Sequence, residues 1–435
     1  MPKISVYMPN HNYADYIEQA INSVIKQTID DWELIVIDDG STDSSLEILA
    51  KYRNDGRITI IEQENKGLNV TNNVAIRLSR GKYIVRVDAD DYIDENFLLV
   101  LSNTLETNPD IGLVFPDYYP VDKTGAILET IRRKKIGDEA QLLDLPAHGA
   151  CTMFRKDVLV EVGSYDEAFS CQDGYDIWIK FIEKYKPYNV NIPLFYYRQH
   201  GNNLTGNTHR ILDTRREIKR KHIKKSGGLK SNILGLIPVY NASVYHQNRP
   251  FTELHGKPLL WYTLQEACKA ESLTRIAVTS ENDSVLEYVI EHFPHIDVIK
   301  REGEYAKYDI RTENLMSHAL SALKNKHSYE SDAVCLLYIS TPLRQAKHID
   351  HAADTMKIFD TDSVISVQEE LAHCYHHDKH GLLPINIVDG DKPRLERQAI
   401  YKENSAVLLC RTNNLQAGNM LGKVVGHISM LPEES

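Results

Sequence analysis

Tyr83-Ile84-Val85-Arg86-Val87-Asp88-Ala89-Asp90-Asp91 runs from β-branched, largely apolar residues straight into three carboxylates. Such a run predicts a buried strand that ends at a site. Side chains alternate along a strand, so Asp88 and Asp90 are expected on one side, roughly 6–7 Å apart. Two carboxylates that close repel each other unless a cation lies beside or between them. Oxygen ligands suit a hard divalent ion, Mg²⁺ or Mn²⁺, which keeps positions open for substrate phosphates. At this point a solvated acidic turn remains the plain alternative.

Working outward, strand and helix alternate on both sides. Lys3–Met8 reads as a strand, Asp15–Gln27 as a helix with apolar residues at helical spacing, and Trp32–Ile37 as a second buried strand. Ser44–Tyr52 is a predicted helix, Ile58–Ile61 a strand, and Asn69–Leu78 a helix leading back to the quoted stretch. Polar loops follow the strand ends: Pro9-Asn10-His11-Asn12-Tyr13, Asp38-Asp39-Gly40-Ser41-Thr42-Asp43 and Glu64-Asn65-Lys66-Gly67. This is the pattern of an open, mainly parallel α/β sheet, which binds ligands at the carboxyl ends of its strands. No Gly-x-Gly-x-x-Gly or Walker loop is present, which argues against a dinucleotide or P-loop site.

Bulk properties bound the rest. At 435 residues the chain is too long for one ordinary core, so two or three domains are expected. With 26% charged and 42% hydrophobic residues it has a globular composition, and a net charge of −11 argues against nucleic-acid binding. Cysteines 151, 171, 268, 335, 374 and 410 form no CxxC pair, as in a reduced, cytoplasmic chain without a disulfide framework or zinc site. No apolar run reaches membrane-span length, and the start passes directly into a strand, so neither a cleaved signal nor a membrane span is expected.

Ile-Ser-Val-Tyr-Met-Pro-Asn-His-Asn-Tyr, Leu-Ile-Val-Ile-Asp-Asp-Gly-Ser-Thr-Asp, Asn-Lys-Gly and Gly-Lys-Tyr-Ile-Val-Arg-Val-Asp-Ala-Asp-Asp closely resemble the motifs of family 2 glycosyltransferases of GT-A fold, in order and spacing. The resemblance spans about residues 1–205. It implies that Pro9 and His11 border a nucleotide base, that Asp39 hydrogen-bonds it, and that Asn65 and Gly67 belong to the same donor site. It implies Asp88 at the ribose or diphosphate, and Asp90, with Asp88, at a metal bridging the diphosphate of the donor. The chain departs from the family at Thr71-Asn72-Asn73, where many members carry Ala-Arg-Asn, and at His11, often Tyr.

Cys171-Gln172-Asp173-Gly174-Tyr175-Asp176-Ile177-Trp178 resembles the family's Glu-Asp-x-Asp-x-Trp segment, with Gln172 for Glu and Gly174 inserted. Helical spacing after it places the aspartates at a helix N-terminus, where capping is the structural alternative. The resemblance implies Asp173 as the general base and Asp176 as its support, a carboxylate arrangement that inverts the anomeric centre. Tyr196-Tyr197-Arg198-Gln199-His200 resembles the family's Tyr-Arg-x-His element and implies Arg198 at the diphosphate and His200 at the metal.

Arg210–Lys225 carries eight Lys or Arg against Asp213 and Glu217, a solvated helix face or a peripheral contact with an anionic membrane or lipid-linked acceptor. Ser226-Gly227-Gly228 reads as a flexible break. Beyond it, Ile233–Val239, Arg275–Thr279, Ala333–Ile339 and Asp362–Val367 are predicted strands, and Ser284–His292 and the segment after Gly256-Lys257-Pro258 predicted helices. Leu-Ile-Pro, His-Gly-Lys-Pro-Leu-Leu-Trp-Tyr-Thr, Val-Thr-Ser-Glu-Asn-Asp, Tyr-Ile-Ser-Thr-Pro-Leu-Arg and Asp-Ser-Val-Ile-Ser-Val here resemble the sugar-acid cytidylyltransferases. The family's glycine- and base-rich triphosphate loop, however, reads Tyr240-Asn241-Ala242-Ser243-Val244-Tyr245, without glycine or cation. His373-Cys374-Tyr375-His376-His377…His380 fits no known metal spacing.

The expected fold is α/β, with two mixed or parallel-sheet nucleotide-binding domains. These are a GT-A glycosyltransferase at 1–205 and a cytidylyltransferase-like, non-catalytic domain at 231–435, joined by a basic helix and linker at 206–230. The expected activity is inverting, Mn²⁺- or Mg²⁺-dependent transfer from a nucleoside-diphosphate sugar, UDP-sugar first, to a glycan or lipid-linked acceptor in bacterial-type surface polysaccharide synthesis. A cytoplasmic protein at the inner membrane face, self-associating through its second domain, is expected. Two alternatives stay open: a bifunctional enzyme that also activates a nonulosonic-type sugar acid with CTP, and a non-enzymatic scaffold.

Overall fold

Strand-helix alternation builds two separate mixed sheets. The structure is a computed structural model and describes residues 1–133, 149–200, 208–240, 249–307, 310–370, 372–379, 381–385, 400–416 and 418–434. The chain divides into two compact units, Met1–Ile218 and Lys219–Ser435.

In the first unit the elements are β1 (Ile4–Asn10), α1 (Ile17–Ile25), β2 (Trp32–Asp39), α2 (Ser45–Ala50), β3 (Ile58–Gln63), α3 (Leu68–Leu78), β4 (Tyr83–Arg86) and β5 (Tyr92–Ile93). There follow α4 (Phe97–Thr107), β6 (Ile111–Val121), β7 (Met153–Arg155), α5 (Lys156–Glu161), α6 (Asp173–Ile182), β8 (Lys186–Arg198) and α7 (Thr208–Lys225), within which the division between units falls. The sheet order is β3-β2-β1-β4-β7-β6-β8-β5. β3, β2, β1 and β4 are parallel, whereas β7 runs antiparallel to both β4 and β6. The chain winds outward from β1 to β3 and then crosses to β4 on the other side of β1. Ligands of open α/β sheets bind at such a switch point, outside the carboxyl ends of the strands.

The period of two along β4 sorts its side chains between two cores. Tyr83, Val85 and Val87 pack with Ile4, Val6 and Met8 against α1 and α4. Ile84 faces the opposite way, among Tyr7, Ile37 and the α6 residues Ile177 and Trp178. Arg86 shares that face with Ile84 by alternation, which carries a guanidinium toward the start of α6.

One expectation is corrected here. The strand ends at Arg86, so Asp88 and Asp90 are not aligned by strand alternation. A turn closed by Asp91 N–H to the Asp88 carbonyl (3.1 Å) takes over and gathers the carboxylates instead.

The second unit has β9 (Ile233–Val239), β10 (Glu253–Leu254), β11 (Lys257–Pro258), α8 (Leu259–Lys269), β12 (Arg275–Ser280), α9 (Asp283–His292), β13 (Asp297–Lys300), α10 (Thr312–His327), β14 (Ala333–Leu336) and α11 (Ala346–Phe359). Then come β15 (Ser363–Glu370), the hairpin β16 (Tyr375–Asp378) and β17 (Gly381–Pro384), β18 (Ile400–Arg411), α12 (Thr412–Gln416) and β19 (Val425–Ser429). Its main sheet runs β13-β12-β9-β14-β18-β15-β19, with β18 antiparallel to both neighbours and the rest parallel. Cores lie on both faces, one around Ile237, Leu264 and Val407, the other around Leu236, Met316 and Leu408. The expected break at Ser226-Gly227-Gly228 instead caps α7: Gly228 N–H reaches the Ile223 carbonyl at 2.9 Å, with both glycines at positive φ. Of the eroded triphosphate loop, all but Tyr240 lies outside the described residues, as does His380.

Candidate active site

At one end of a cleft of about 490 Å³ in the first unit, Pro9, His11, Asp39, Asn65 and Gly67 meet. β1 and β2 end side by side there, and Asn10 Nδ2 donates to Asp38 Oδ2 at 2.7 Å. Asp38 thereby holds the loops together, while Asp39 turns to the next strand's loop. Asp39 accepts from Lys66 N–H (2.8 Å), Gly67 N–H (2.9 Å) and Gln63 Nε2 (2.7 Å), fixing the entry to α3. His11 Nδ1 donates to the Asp39 carbonyl at 2.9 Å. Gly40, at φ +75, must be glycine for Asn65 to approach, since a Cβ there would stand 2.8 Å from Asn65 N.

The cleft floor is the carboxylate turn. Asp88, Asp90 and Asp91 each offer an oxygen, all within 4.8 Å of one another. Burial pushes the Asp88 carboxyl up to about 6, opposed by Arg86 and reinforced by Asp90. Burial, with Asp90 and Asp88, holds Asp91 well above the carboxylate range, and partial burial, reinforced by the same turn, raises the Tyr13 phenol beside it. Three crowded carboxyl groups of hard-donor type resist ionising together, and a divalent cation would relieve them. The residues therefore fit such an ion, which Asp90 and Asp88 could hold. Asp91 is partly committed, since its Oδ1 accepts the Arg198 N–H at 2.8 Å.

β8 supplies the support beneath. Arg198, 1% exposed, donates Nε to the Asp90 carbonyl (2.8 Å), Nη1 to the carbonyls of Asp122 (3.2 Å) and Lys123 (3.0 Å), and Nη2 to Gln19 Oε1 (2.7 Å). Its guanidinium props the turn from behind and is not on the cleft wall. His200 reaches Asp90 Oδ2 through Nε2 at 2.9 Å and stacks on Tyr16, with ring centroids 5.6 Å apart.

At the other end, α6 opens on Asp173. The preceding Gln172 sits in the left-handed region at φ 59, which turns the chain so that Asp173 faces the cleft. Arg86, 4% exposed, links the two ends: its Nε lies 2.9 Å from Asp88 Oδ1 and its Nη1 donates to Asp173 Oδ2. Gly149 makes room for it, since a Cβ there would stand 2.8 Å from Arg86 Nη2. Asp176 lies a turn further on, buried, paired with Lys180 at 2.6 Å and off the cleft wall; burial raises its pKa.

Four side chains of this site escaped sequence reasoning: Tyr13, Arg86, Asp91 and Arg215. Arg86 carried a signal, standing two residues before Asp88 in the same run. Arg215 carried none, since it arrives from α7. Arg133 also lines the cleft, its backbone N–H donating to Asp117 Oδ1 at 2.9 Å.

The family model "Glycosyl transferase family 2" matches residues 5–163, which contain the nucleotide-end loops and the carboxylate turn. Residues 5–163 are a family 2 glycosyltransferase domain. The chain is 29% identical over 184 residues to a chondroitin synthase of Escherichia coli, covering 42% of this chain and 27% of that protein. It is 36% identical over 123 residues to the glycosyltransferase GlyG of Streptococcus pneumoniae, 28% of this chain and 40% of the other. An uncharacterized glycosyltransferase of Methanocaldococcus jannaschii is 32% identical over 188 residues, 42% of this chain and 65% of the other. The chain thus spans less than half the length of the first two. Among solved structures, S. aureus TarS 1–349 in complex with UDP-GlcNAc aligns with a TM-score of 0.42 and 20% identity over 51% of this chain and 66% of that one. The chain also aligns with mannosyltransferase PcManGT of Pyrobaculum calidifontis, in complex with GDP-Man and Mn²⁺, at a TM-score of 0.41 and 19% identity over 51% of this chain and 64% of that one.

Proposed function

We propose that the first unit transfers a sugar, with inversion, from a nucleoside-diphosphate donor to a glycan or lipid-linked acceptor in surface polysaccharide or glycoconjugate synthesis. The observation that carries this is the order of groups along one cleft: a loop cluster at His11 and Asp39, the carboxylate turn at its floor, and Asp173 at its far end. His11, Pro9 and the Asp39 region would take the base, with Asn65 and Gly67 beside it. Asp88 and Asp90 would hold a divalent cation, Mn²⁺ or Mg²⁺, with His200 fixing Asp90. When bound, that ion supplies positive charge to the leaving diphosphate. Asp173 would take the proton from the acceptor hydroxyl, and Arg86 keeps its carboxylate aimed. Arg198 acts through the turn it supports. Asp176, paired with Lys180, would support Asp173 through the helix they share.

A UDP-sugar is the first donor to test, and the E. coli chondroitin synthase relative favours polysaccharide over small acceptors. Release of nucleoside diphosphate from UDP-, GDP- and dTDP-sugars with Mn²⁺ and mixed glycan acceptors is the test. The expected result is release with one donor class, abolished by chelation and by Asp90→Ala. No release from any donor would refute it.

For the second unit we propose a cytidylyltransferase-like domain that no longer transfers nucleotide, serving self-association or ligand binding. What supports this is the motif order together with the loss of every glycine and cation from Tyr240 to Tyr245. Pyrophosphate release from CTP with a sugar acid would favour the bifunctional reading. No helix among the described residues is long and apolar enough to cross a membrane.

A further inference from the structure

Arg215 stands in the cleft beside the candidate base, on a helix that no motif connects with the chemistry. Its Nε donates to Gln172 Oε1 at 2.7 Å, and its guanidinium lies 4.8 Å over the Tyr175 ring. Gln172 is the residue immediately before Asp173, and Tyr175 lies in the first turn of the same helix. The first half of α7 is pinned to this segment: Cys171 Sγ meets Thr214 Oγ1 at 3.1 Å, and Arg210 Nη2 donates to Ser170 Oγ at 2.6 Å. A guanidinium fixed at Nε and stacked on a ring has its plane set in advance. Its two terminal nitrogens have no hydrogen-bond partner among the described residues, and no carboxylate among them pairs with it.

We propose that Arg215 is an anion-recognition residue of this cleft, holding a carboxylate or phosphate group carried by the sugar substrate. The inference rests on the glycosyl-transfer reading and deepens it by giving the substrate a charge. Two parallel N–H donors from a planar fork match the two oxygens of a carboxylate or phosphate, which an ammonium cannot do. Asp173 does not repel such a group in full, because Arg86 already pairs with it. An anion at Arg215 therefore lies next to the base, where the acceptor or the transferred sugar must sit, and remote from the nucleotide end at His11. Pre-organisation by Gln172 and Tyr175 cuts the side-chain ordering that binding would otherwise require.

The test is calorimetric binding to the full chain with matched pairs of probes, with Mn²⁺ present. A glucuronate-terminated disaccharide against its carboxyl-reduced twin reads a carboxylate on the acceptor. Glucose 6-phosphate against glucose reads a phosphate, and UDP-glucuronate against UDP-glucose reads a charge on the donor sugar. The wild type is expected to prefer the anionic member of at least one pair by about 10- to 100-fold, the range of a charge-assisted bidentate contact. Arg215→Met should bring that ratio close to one, while Arg215→Lys, which keeps the charge but not the fork, retains only part of it. Melting curves verify folding, and if the Met variant unfolds, the Lys variant alone must show the reduced ratio. Absence of any anionic preference in the wild type, or an unchanged ratio in the variants, overturns the proposal. Arg215-dependent anion binding without diphosphate release from any donor would retain this site and remove the glycosyl-transfer reading. Release with ratios untouched by Arg215→Met does the reverse.

Discussion

Arg86 is buried between two carboxylates that serve different halves of the cleft, Asp88 on the floor and Asp173 at the start of α6. Removing one partner of a buried charge network leaves the others uncompensated, which costs about 3–5 kcal/mol. Arg86→Met is therefore expected to lower the stability of the first unit by that order in chemical denaturation. A loss below about 1 kcal/mol would mean that the charges are solvated. Asp173→Asn keeps the shape and removes the proton acceptor. It should reduce kcat by roughly 10²- to 10⁴-fold with donor affinity nearly unchanged; a variant with wild-type kcat would transfer the role of base to another group. At this scale much was legible. Asp88, Asp90 and Asp173 are marked in the sequence by carboxylates at a strand end and a helix start, and all three line one cleft. Arg198 was also marked, but its type alone could not tell a ligand contact from a buried brace, because that depends on which carbonyls the fold brings beneath it.

Between elements, the turns carry what the strands do not. Strand β4 stops at Arg86, and the turn after it crowds three carboxylates that simple alternation would have spaced in a line. Strand identity was readable from β-branched runs, but a turn's geometry depends on partners distant in sequence. Arg198, 107 residues after Asp91, supplies the N–H that fixes it. The α3 entry shows the same dependence. Asp39 accepts two backbone N–H groups and the Gln63 amide, so Asp39→Ala would leave donors of a part-buried loop unmet. Each such donor costs about 1–3 kcal/mol. The variant should melt lower by at least one such increment and bind nucleoside diphosphate more weakly. Unchanged melting and affinity would show that water replaces the carboxylate without loss. Helix α7 was predicted as a basic, solvated face, and its Arg215 could not be placed because nothing in a charge run says which member turns inward.

Across the whole molecule, each unit has its own sheet and its own pair of cores. The alternation that predicts an α/β chain of two parts was readable throughout. The antiparallel intrusions, β7 and β18, were not, since pairing direction leaves no trace in periodicity. In the second unit, burial pushes the Asp354 carboxyl from 3.8 up to about 6 despite Arg220 3.3 Å away. A carboxyl raised on folding disfavours the folded state where it is charged. Its cost, on the order of 3 kcal/mol, is present above pH 6 and is relieved as the pH falls toward 4. The wild type minus Asp354→Asn difference in stability should therefore shift in favour of the wild type between pH 7 and pH 5. A flat difference would mean that Arg220 fully compensates the charge.

The central claim is that the Asp88–Asp91 turn binds a divalent cation together with the donor's diphosphate, separately from the base at Asp173. Calorimetric titration of UDP, GDP and dTDP into wild type, Asp90→Ala and Asp173→Asn, each with and without Mn²⁺, tests it most directly. Mn²⁺ is expected to strengthen binding of one diphosphate in the wild type and in Asp173→Asn, and to leave Asp90→Ala unaffected. Binding that is indifferent to Mn²⁺ in all three proteins, or strengthened by it equally in Asp90→Ala, would contradict it.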